Sequence, residues 1–591
     1  METVTNTTAG SIARVVAVRP VGTTAVLAEL AGLHDVLALQ AVLLEHPLPG
    51  QVDVLAAAET VLVKADSPQS ARRIAARLLE LDLTAQAQSE GKLVQIETVY
   101  DGEDLAEVGR LTGLGIEGVV AAHTGQVWTV AFGGFAPGFG YMVGEDQSLE
   151  VPRRSSPRTV VPAGSVALAG NYSAVYPRQS PGGWQLIGRT AARMWDLGRE
   201  QPALAAPGDR VQFRAVRELV EIPEPAPAES VAEAGAQNAG AQDIGAQCAG
   251  AASGLRILSP GLQSLIQDLG RHGHGGLGVS AAGALDRSSL RRANRIVGNQ
   301  PSAAVVETVA GGLRVQAVGD QVLAVTGAPV ALTITPPSDV PGGGTAGTNT
   351  AGDSAAGDST AGDDGGRSGE VRPVPMATAF ALLDGEVLTL GAPERGFRTY
   401  LAVRGGVDTQ PVLGSRSTDT MSGIGPAPLA PGGFIEAGKA TSSNVVGNPE
   451  IQPDYPDTGV TVLDIVPGPR DDWFDAAALD SLCGQEWTVT PRSNRVGMRL
   501  DGEPLERSRN GELASEGTVA GALQVPPEGQ PVLFLADHPI TGGYPVVAVV
   551  VDHQLDVAAQ VPIGGRLRFR WAPGYPLPAN THPSPDATQT K

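Results

Sequence analysis

Apolar and polar positions alternate in two registers along the chain, and the register changes near residue 97. Residues 13–30 carry the period-two pattern of strands, and LHDVLALQAVLLEHP carries a helical pattern stopped before Pro47. ETVLVKA again reads as a strand. SPQSARRIAARLLELDL offers Ser67 as helix N-cap and Pro68 as first helical residue, with Ile74, Leu78 and Leu81 on one face. Strand and helix alternating at this length predict a small α/β domain over 1–97. After KLVQIETVYDGEDL and one more helix at about Leu105–Ala121, short Val-rich runs separated by Gly and Pro turns predict a β-barrel or sandwich over 98–222.

The same β texture returns over 254–459 and 460–574. Between the blocks, Pro223–Ser253 repeats Gly-Ala-Gln and Pro336–Glu370 is rich in Gly, Ala and Asp. Neither tract has enough large apolar residues to bury a core, so they are expected to be a disordered linker and a disordered insertion. The tail, 575–591, is expected to be loose. The fold class is therefore mainly β: a small N-terminal α/β domain followed by β domains.

Composition narrows the function classes. A net charge of −21 with no Lys/Arg block argues against nucleic acid and anionic membrane as partners. No apolar run reaches spanning length, VVAVVV (Val546–Val551) being strand-sized, which with the Cys usage points to a cytoplasmic protein. Only Cys248 and Cys483 occur, so neither a disulfide framework nor a Cys-rich zinc site is indicated, and His272 with His274 lacks a third ligand nearby. GLGIEG (Gly113–Gly118) and GHGGLG (Gly273–Gly278) match a dinucleotide fingerprint but lie outside a strand–turn–helix unit. There is no G-x-x-x-x-G-K-[ST], G-x-S-x-G or H-E-x-x-H, and no Met-Lys-Met, so no covalent biotin is expected on this chain.

One local pattern occurs twice. SPGGW places Trp184 after Gly182 and Gly183, and TGGY places Tyr544 after Gly542 and Gly543. Each copy stands near a Val-Pro turn, Val161-Pro162 and Val525-Pro526, so two β domains of related design are expected. The glycines suit turns that present amide N–H groups beside a flat ring. Two readings of Trp184 stay open: a plug in a barrel end, or one wall of a cleft shared by the two turns.

FGGFAPGFGYM (Phe132–Met142), PRRSSPRTVVPAGSVALAG (Pro152–Gly170) and SPGGWQLIGRT (Ser180–Thr190) form an ordered set that resembles the B-type subunit of bacterial ATP-dependent 5-oxoprolinase. That family is also called allophanate hydrolase subunit 1, and it includes a Kip-type inhibitor of a sporulation kinase. SPGLQSLIQDLGRHGHGGLGVSAAGALD (Ser259–Asp286), YLAVRGGVD…LGSRSTD (Tyr400–Asp419), SNRVGMRLDG (Ser493–Gly502) and SEGTVAGALQVPPEGQPVLFLADHPITGGYP (Ser515–Pro545) resemble the C-type partner of that enzyme, a family of biotin-dependent carboxyltransferase relatives. The resemblance implies a natural B–C fusion with cyclophilin-like β-barrels. It implies opening of the lactam of 5-oxo-L-proline to L-glutamate, an A-type partner subunit, and ATP with Mg as co-substrate.

Opening an unstrained lactam needs donors for developing oxyanions, cations for phosphate and carboxylate, and a base for water. His123 is the candidate base, with Asp101, Asp268 and Asp537 as alternatives. Arg158, Arg416, Arg495 and Arg499 are candidate clamps. The matched stretches add Phe135, Pro137, Gly138, Tyr141, Asn494 and Gln524 to the two Gly-Gly-aromatic turns as substrate-binding positions. Met498 stands where the resemblance leads one to expect an aromatic, and Pro539 interrupts a polar run. Two other functions stay open: the carboxyltransferase part of a biotin-dependent urea or amide carboxylase, and a histidine-kinase regulatory binding protein. Self-association is open too.

Overall fold

The computed structural model describes residues 15–83, 91–154, 156, 158–219, 253–337, 371–440, 444–509, 511 and 513–575. Apart from Ser253, Pro336, Pro337 and Tyr575 at their edges, both low-complexity tracts and the tail lie outside the described residues.

The N-terminal unit is a four-stranded antiparallel sheet, order β1-β2-β4-β3, of β1 (Ala17–Val21), β2 (Ala25–Glu29), β3 (Gln51–Ala56) and β4 (Thr60–Ala65). Two helices cover one face, α1 (Leu33–Glu45) and α2 (Pro68–Glu80). Ser67 caps α2 by accepting from the Ser70 amide at 3.2 Å; Ile74 and Leu78 are buried and Leu81 half-buried. Because strand side chains alternate, Val61 and Val63 face the helices while Leu62 faces the other way, with Leu27 and Leu55. That second face packs on Val466, Phe534 and Val549 of the last domain. Arg470 reinforces the seam by pairing with both Glu29 and Glu516.

The next unit runs through β5 (Leu93–Thr98), α3 (Leu105–Thr112), α4 (Gly115–Gly125), β6 (Trp128–Gly133), β7 (Gly140–Gly144), β8 (Arg158–Val161), β9 (Ser165–Ala169), β10 (Tyr172–Val175), β11 (Ser180–Gly182), β12 (Gln185–Arg189) and β13 (Arg210–Ala215). The single helix expected at about 105–121 is two, because Gly113 at φ 74° caps α3 in the left-handed conformation and turns the chain. Seven strands pair in the order β12-β9-β10-β7-β6-β13-β5, and a bridge between Val99 and Arg189 joins the two ends into a barrel. A separate ribbon, β8 with β11, carries the SPGG turn.

A sandwich follows: β14 (Gly254–Pro260), β15 (Gln263–Gln267), α5 (Arg287–Val297), β16 (Val305–Val309), β17 (Leu313–Val318), β18 (Gln321–Gly327), β19 (Leu332–Thr335), β20 (Arg372–Val374), β21 (Phe380–Leu382), β22 (Val387–Leu390), β23 (Arg398–Val403) and β24 (Phe434–Glu436). Its sheets, β20-β19-β22-β17-β14-β24 and β15-β16-β23-β18-β21, enclose one apolar core.

The last unit comprises β25 (Val460–Pro467), α6 (Ala476–Gly484), β26 (Trp487–Val489), β27 (Gly497–Asp501), β28 (Glu516–Gly517), β29 (Ala522–Gln524), β30 (Val532–Phe534), β31 (Thr541–Gly542), β32 (Val546–Val550), α7 (Leu555–Ala558) and β33 (Arg566–Trp571). Its closed barrel has the order β25-β32-β29-β30-β27-β26-β33. Adding twenty to each strand number of the first barrel reproduces this order. The parallel pairing of first and last strands (β5 with β13, β25 with β33) and the side ribbon (β8 with β11, β28 with β31) recur as well. Half of the sequence echo corresponds: SPGG and TGGY occupy equivalent ribbons. The Val-Pro half does not, because Val161-Pro162 precedes β9 whereas Val525-Pro526 follows β29.

Candidate functional site

The proposed base is a core residue. His123, on α4, is 0% exposed; Tyr100 Oη lies 2.7 Å from Nδ1 and Ser173 Oγ 2.8 Å from Nε2, so one nitrogen donates and the other accepts. Its ring packs on Phe213 and Trp128. Burial drives its pKa down to about 3, and no lone pair faces solvent to take a proton from water.

The alternative carboxylates have partners of their own, one at the surface and two inside networks. Asp101 pairs with Arg189 at 2.9 Å on the surface, beside the bridge that closes the first barrel. Asp268 accepts from the Ser415 and Ser417 hydroxyls (2.6 Å each), the Arg416 amide (2.6 Å) and the Gly270 amide (2.8 Å). Asp537 is held by Arg495 at 2.9 and 3.0 Å and by the Thr420 amide and hydroxyl. Arg495 also reaches Glu307 and the Gly283 carbonyl, and burial is outweighed by these anions, which raise its pKa. This buried network joins the last barrel to the sandwich.

Two of the remaining candidate clamps, Arg158 and Arg416, hold loops. Arg158 bridges Glu103 and Asp104, and Asp104 in turn accepts from the Leu186 amide at 2.7 Å. Arg416 donates to the Thr409 carbonyl at 2.7 Å, and Arg499 lies exposed on β27. Asn494 accepts from the Val496 and Gly497 amides, and Gln524 donates to the Tyr544 carbonyl. Met498 is 3% exposed inside the barrel core, and Pro539 presents its carbonyl to Thr518 and His538.

Four glycine-bearing loops nevertheless converge. In FGGFAPG, a Cβ on Gly134 would overlap the Thr541 side chain of the second barrel, and one on Gly133 would press on the Gly276 carbonyl. Gly138 donates to the Leu277 carbonyl, and Phe135, at φ 62°, with Pro137 meets Ser280, Asp419 and His538. This junction is closed. His538 is buried there, stacked on Phe534, and burial takes its pKa down to about 3.

Beside the junction opens a cleft of about 900 Å3 between the N-terminal unit (Leu33, Glu59), the first barrel (Tyr141, Glu150, Arg153, Tyr172) and the last barrel (Leu513–Ser515). Tyr141 and Tyr172 form its aromatic floor, and Tyr141 stacks on the fully buried Phe132 behind it at 4.3 Å. Burial raises the Tyr141 phenol to about 12, so it is a donor at neutral pH. The Gly-Gly turns flank this cleft rather than line it. Gly183 accepts from the amide of Arg154, next to Arg153, and a Cβ on Gly543 would touch the Leu513 carbonyl. Trp184, 6% exposed, is set edge-on against Phe139 and Tyr141 behind the floor. Tyr544 is 44% exposed under Arg507. With Glu59 and Glu150 against one Arg153, the lining does not make a triphosphate cradle.

Arg153, Glu150 and Tyr172 were not singled out from sequence, although all three stand inside or beside a matched stretch. Neither was a stronger repeat: HTGQVWTV (His123–Val130) and LCGQEWTV (Leu482–Val489) share G-Q-x-W-T-V. Both tryptophans are buried, and each Nε1 donates at 3.0 Å to the carbonyl five residues before it. His123 therefore corresponds to Leu482, an apolar core position.

Two barrels of one topology around a sandwich define a carboxyltransferase-type fold. Residues 16–205 match the family model for carboxyltransferase domain, subdomain C and D, and 277–571 that for subdomain A and B. The second half is 34% identical over 318 residues to the C-type 5-oxoprolinase subunit of Escherichia coli K12, covering 53% of this chain and 90% of that protein. The first half is 36% identical over 178 residues to the B-type 5-oxoprolinase subunit of Escherichia coli O157:H7, covering 29% of this chain and 82% of that protein. The crystal structure of TTHA0988 superposes with a TM-score of 0.73 at 32% identity, covering 90% of this chain and 96% of that one. The chain belongs to the carboxyltransferase-domain family of B-type and C-type 5-oxoprolinase subunits, with both types in one polypeptide.

Proposed function

We propose that this chain is the fused B/C component of an ATP-dependent 5-oxoprolinase, which opens the lactam of 5-oxo-L-proline to L-glutamate together with an A-type subunit. The observation that carries the reading is the cleft, because its walls come from both the B-like and the C-like half. In the overall reaction lactam, ATP and two waters give glutamate, ADP and phosphate. The γ-phosphoryl of ATP passes to the amide oxygen and ADP leaves. One water adds at that carbon, the C–N bond breaks to free the amine and leave an acyl phosphate, and a second water displaces the phosphate. Arg153 supplies a cation for the substrate carboxylate, Tyr141 a protonated phenol for the lactam oxygen, and Tyr172 an apolar wall. Glu59 and Glu150 are the carboxylates within the cleft. His123, Asp101, Asp268 and Asp537 do not line the cleft, so this reading gives the base role to none of them.

The competing reading is carboxyl transfer from biotin to an amide, favoured by the family model's own description. Presenting the purified chain with its A-type partner, ATP and 5-oxo-L-proline, and separately with urea and a carboxylated biotin carrier, decides between them. Glutamate in the first mixture alone is expected. Carboxylated urea in the second, with none in the first, sinks the proposal.

A further inference from the structure

Asp104 stands directly before α3, where an aspartate ordinarily caps the helix, yet its side chain makes no cap bond. The carboxylate turns to other partners. One oxygen accepts from the Leu186 amide at 2.7 Å; the other accepts from Arg154 Nη1 at 2.7 Å and Arg158 Nη2 at 2.9 Å. The Asp104 amide donates back to the Leu186 carbonyl at 2.9 Å, so YDGEDL (Tyr100–Leu105) lies along β12. Gly102 permits that approach, because a Cβ there would overlap the Leu186 carbonyl. Asp104 is 4% exposed. Burial pushes its pKa up, but the Arg158 and Leu186 hydrogen bonds and the Arg154 charge outweigh burial and hold it low.

The other end of this tether carries the arginine of the cleft. Val151 exchanges two backbone bonds with Gly170, at 3.1 and 2.7 Å. The Pro152 carbonyl accepts from Gln185 Nε2 at 3.1 Å, and the Arg154 amide donates to the Gly183 carbonyl at 2.8 Å. The backbone is therefore pinned on both sides of Arg153, and the Arg154 side chain adds an ion pair to a buried carboxylate. Arg153 lines the cleft, and its charge reaches Tyr141 of the floor. An arginine has much rotamer freedom to lose on binding, so a fixed stem decides how well its fork meets a carboxylate.

We infer that Asp104 is a positioning residue for the cleft: through Arg154 it fixes the 151–154 segment, and with it the stem of Arg153, where the substrate carboxylate is received. Asp104 and Arg154 do not line the cleft, so both act through Arg153 and neither touches substrate. The inference rests on the proposed function for the identity of that substrate, and on the bonds above for the tether itself.

The test uses the purified full chain with its A-type subunit, ATP and 5-oxo-L-proline. Arg154→Met cuts the tether but leaves Asp104 with Arg158 and the Leu186 amide, so the variant should melt as the parent does. Its KM should rise about fivefold at unchanged kcat, because a loosened clamp weakens binding and not the chemical step. Arg154→Lys keeps a charged donor for this single bond and should recover most of the affinity. Placed on top of Arg153→Gln, Arg154→Met should raise KM no further, since no clamp is left to position. Amide hydrogen exchange over residues 151–154 should quicken in Arg154→Met and in Asp104→Asn, with the barrel strands unchanged. Unaltered exchange, an unchanged KM in Arg154→Met, or the full fivefold rise on top of Arg153→Gln overturns the inference. Quickened exchange with no ATP-dependent glutamate from the parent chain removes the proposed function alone. Glutamate release with KM and exchange both unmoved in Arg154→Met removes the positioning role alone.

Discussion

The two barrels share strand order, parallel closure and a tryptophan that bonds to its preceding helix, but they differ in what their outer faces meet. In the first, the Val143–Tyr172 strand pair faces the cleft. The corresponding pair in the second is Arg499–Val532, with Arg499 in solvent. The ring after Gly-Gly is buried as Trp184 in one and largely exposed as Tyr544 in the other. Among the described residues, the buried ion network through Arg495 ties the second barrel to the sandwich, and the first barrel has no counterpart. What is common to both closes a barrel; what differs is whether the equivalent face lines a cleft or meets solvent.

The strongest break in that comparison is Arg495→Met. It leaves Asp537 and Glu307 buried without their cation, and the expected loss is about 3–5 kcal/mol, read as a lower denaturation midpoint. Next, Trp184→Ala should cost about 3–5 kcal/mol by opening the aromatic cluster. Tyr544→Ala, at the equivalent ribbon, should stay within about 0.5 kcal/mol. Equal losses at the two rings would contradict the assignment of buried and exposed roles.

A smaller effect appears with pH. His123 and His538 both have folded pKa values of about 3, below the ordinary 6.5. Below pH 6.5 the unfolded chain takes up protons that the folded chain refuses. Stability is therefore complete above about pH 6.5 and is lost progressively as pH falls towards about 3. His123→Leu, which installs the residue of the second barrel, should flatten part of that acid limb in urea titrations. At neutral pH it should cost about 1–3 kcal/mol, since the Tyr100 and Ser173 hydroxyls lose their partner. An unchanged acid limb would show that His123 titrates normally.

Much of the architecture was legible because strand alternation and Gly/Pro turns report burial directly. The mainly β class and the family both followed from long ordered motifs. The site was less legible for a physical reason. Arg and Asp in Gly-rich loops look alike whether they clamp a ligand or a loop, and only coordinates reveal that Asp268, Asp537, Arg416 and Arg495 already have partners. His123 looked catalytic because a histidine's neighbours in space, here Tyr100, Ser173 and Phe213, are far from it in sequence. G-Q-x-W-T-V carried the signal that would have corrected this, since its second copy places leucine at the histidine position.

The central claim is that ring opening occurs in the cleft walled by both halves, and Arg153→Gln tests it most directly. Arg153 is an exposed residue that lines the cleft, so the variant should melt as the parent does. With the A-type subunit and ATP, the KM for 5-oxo-L-proline should rise about tenfold, the loss of one charge-assisted contact. An unchanged KM, or no ATP-dependent glutamate from the parent chain, would contradict the account.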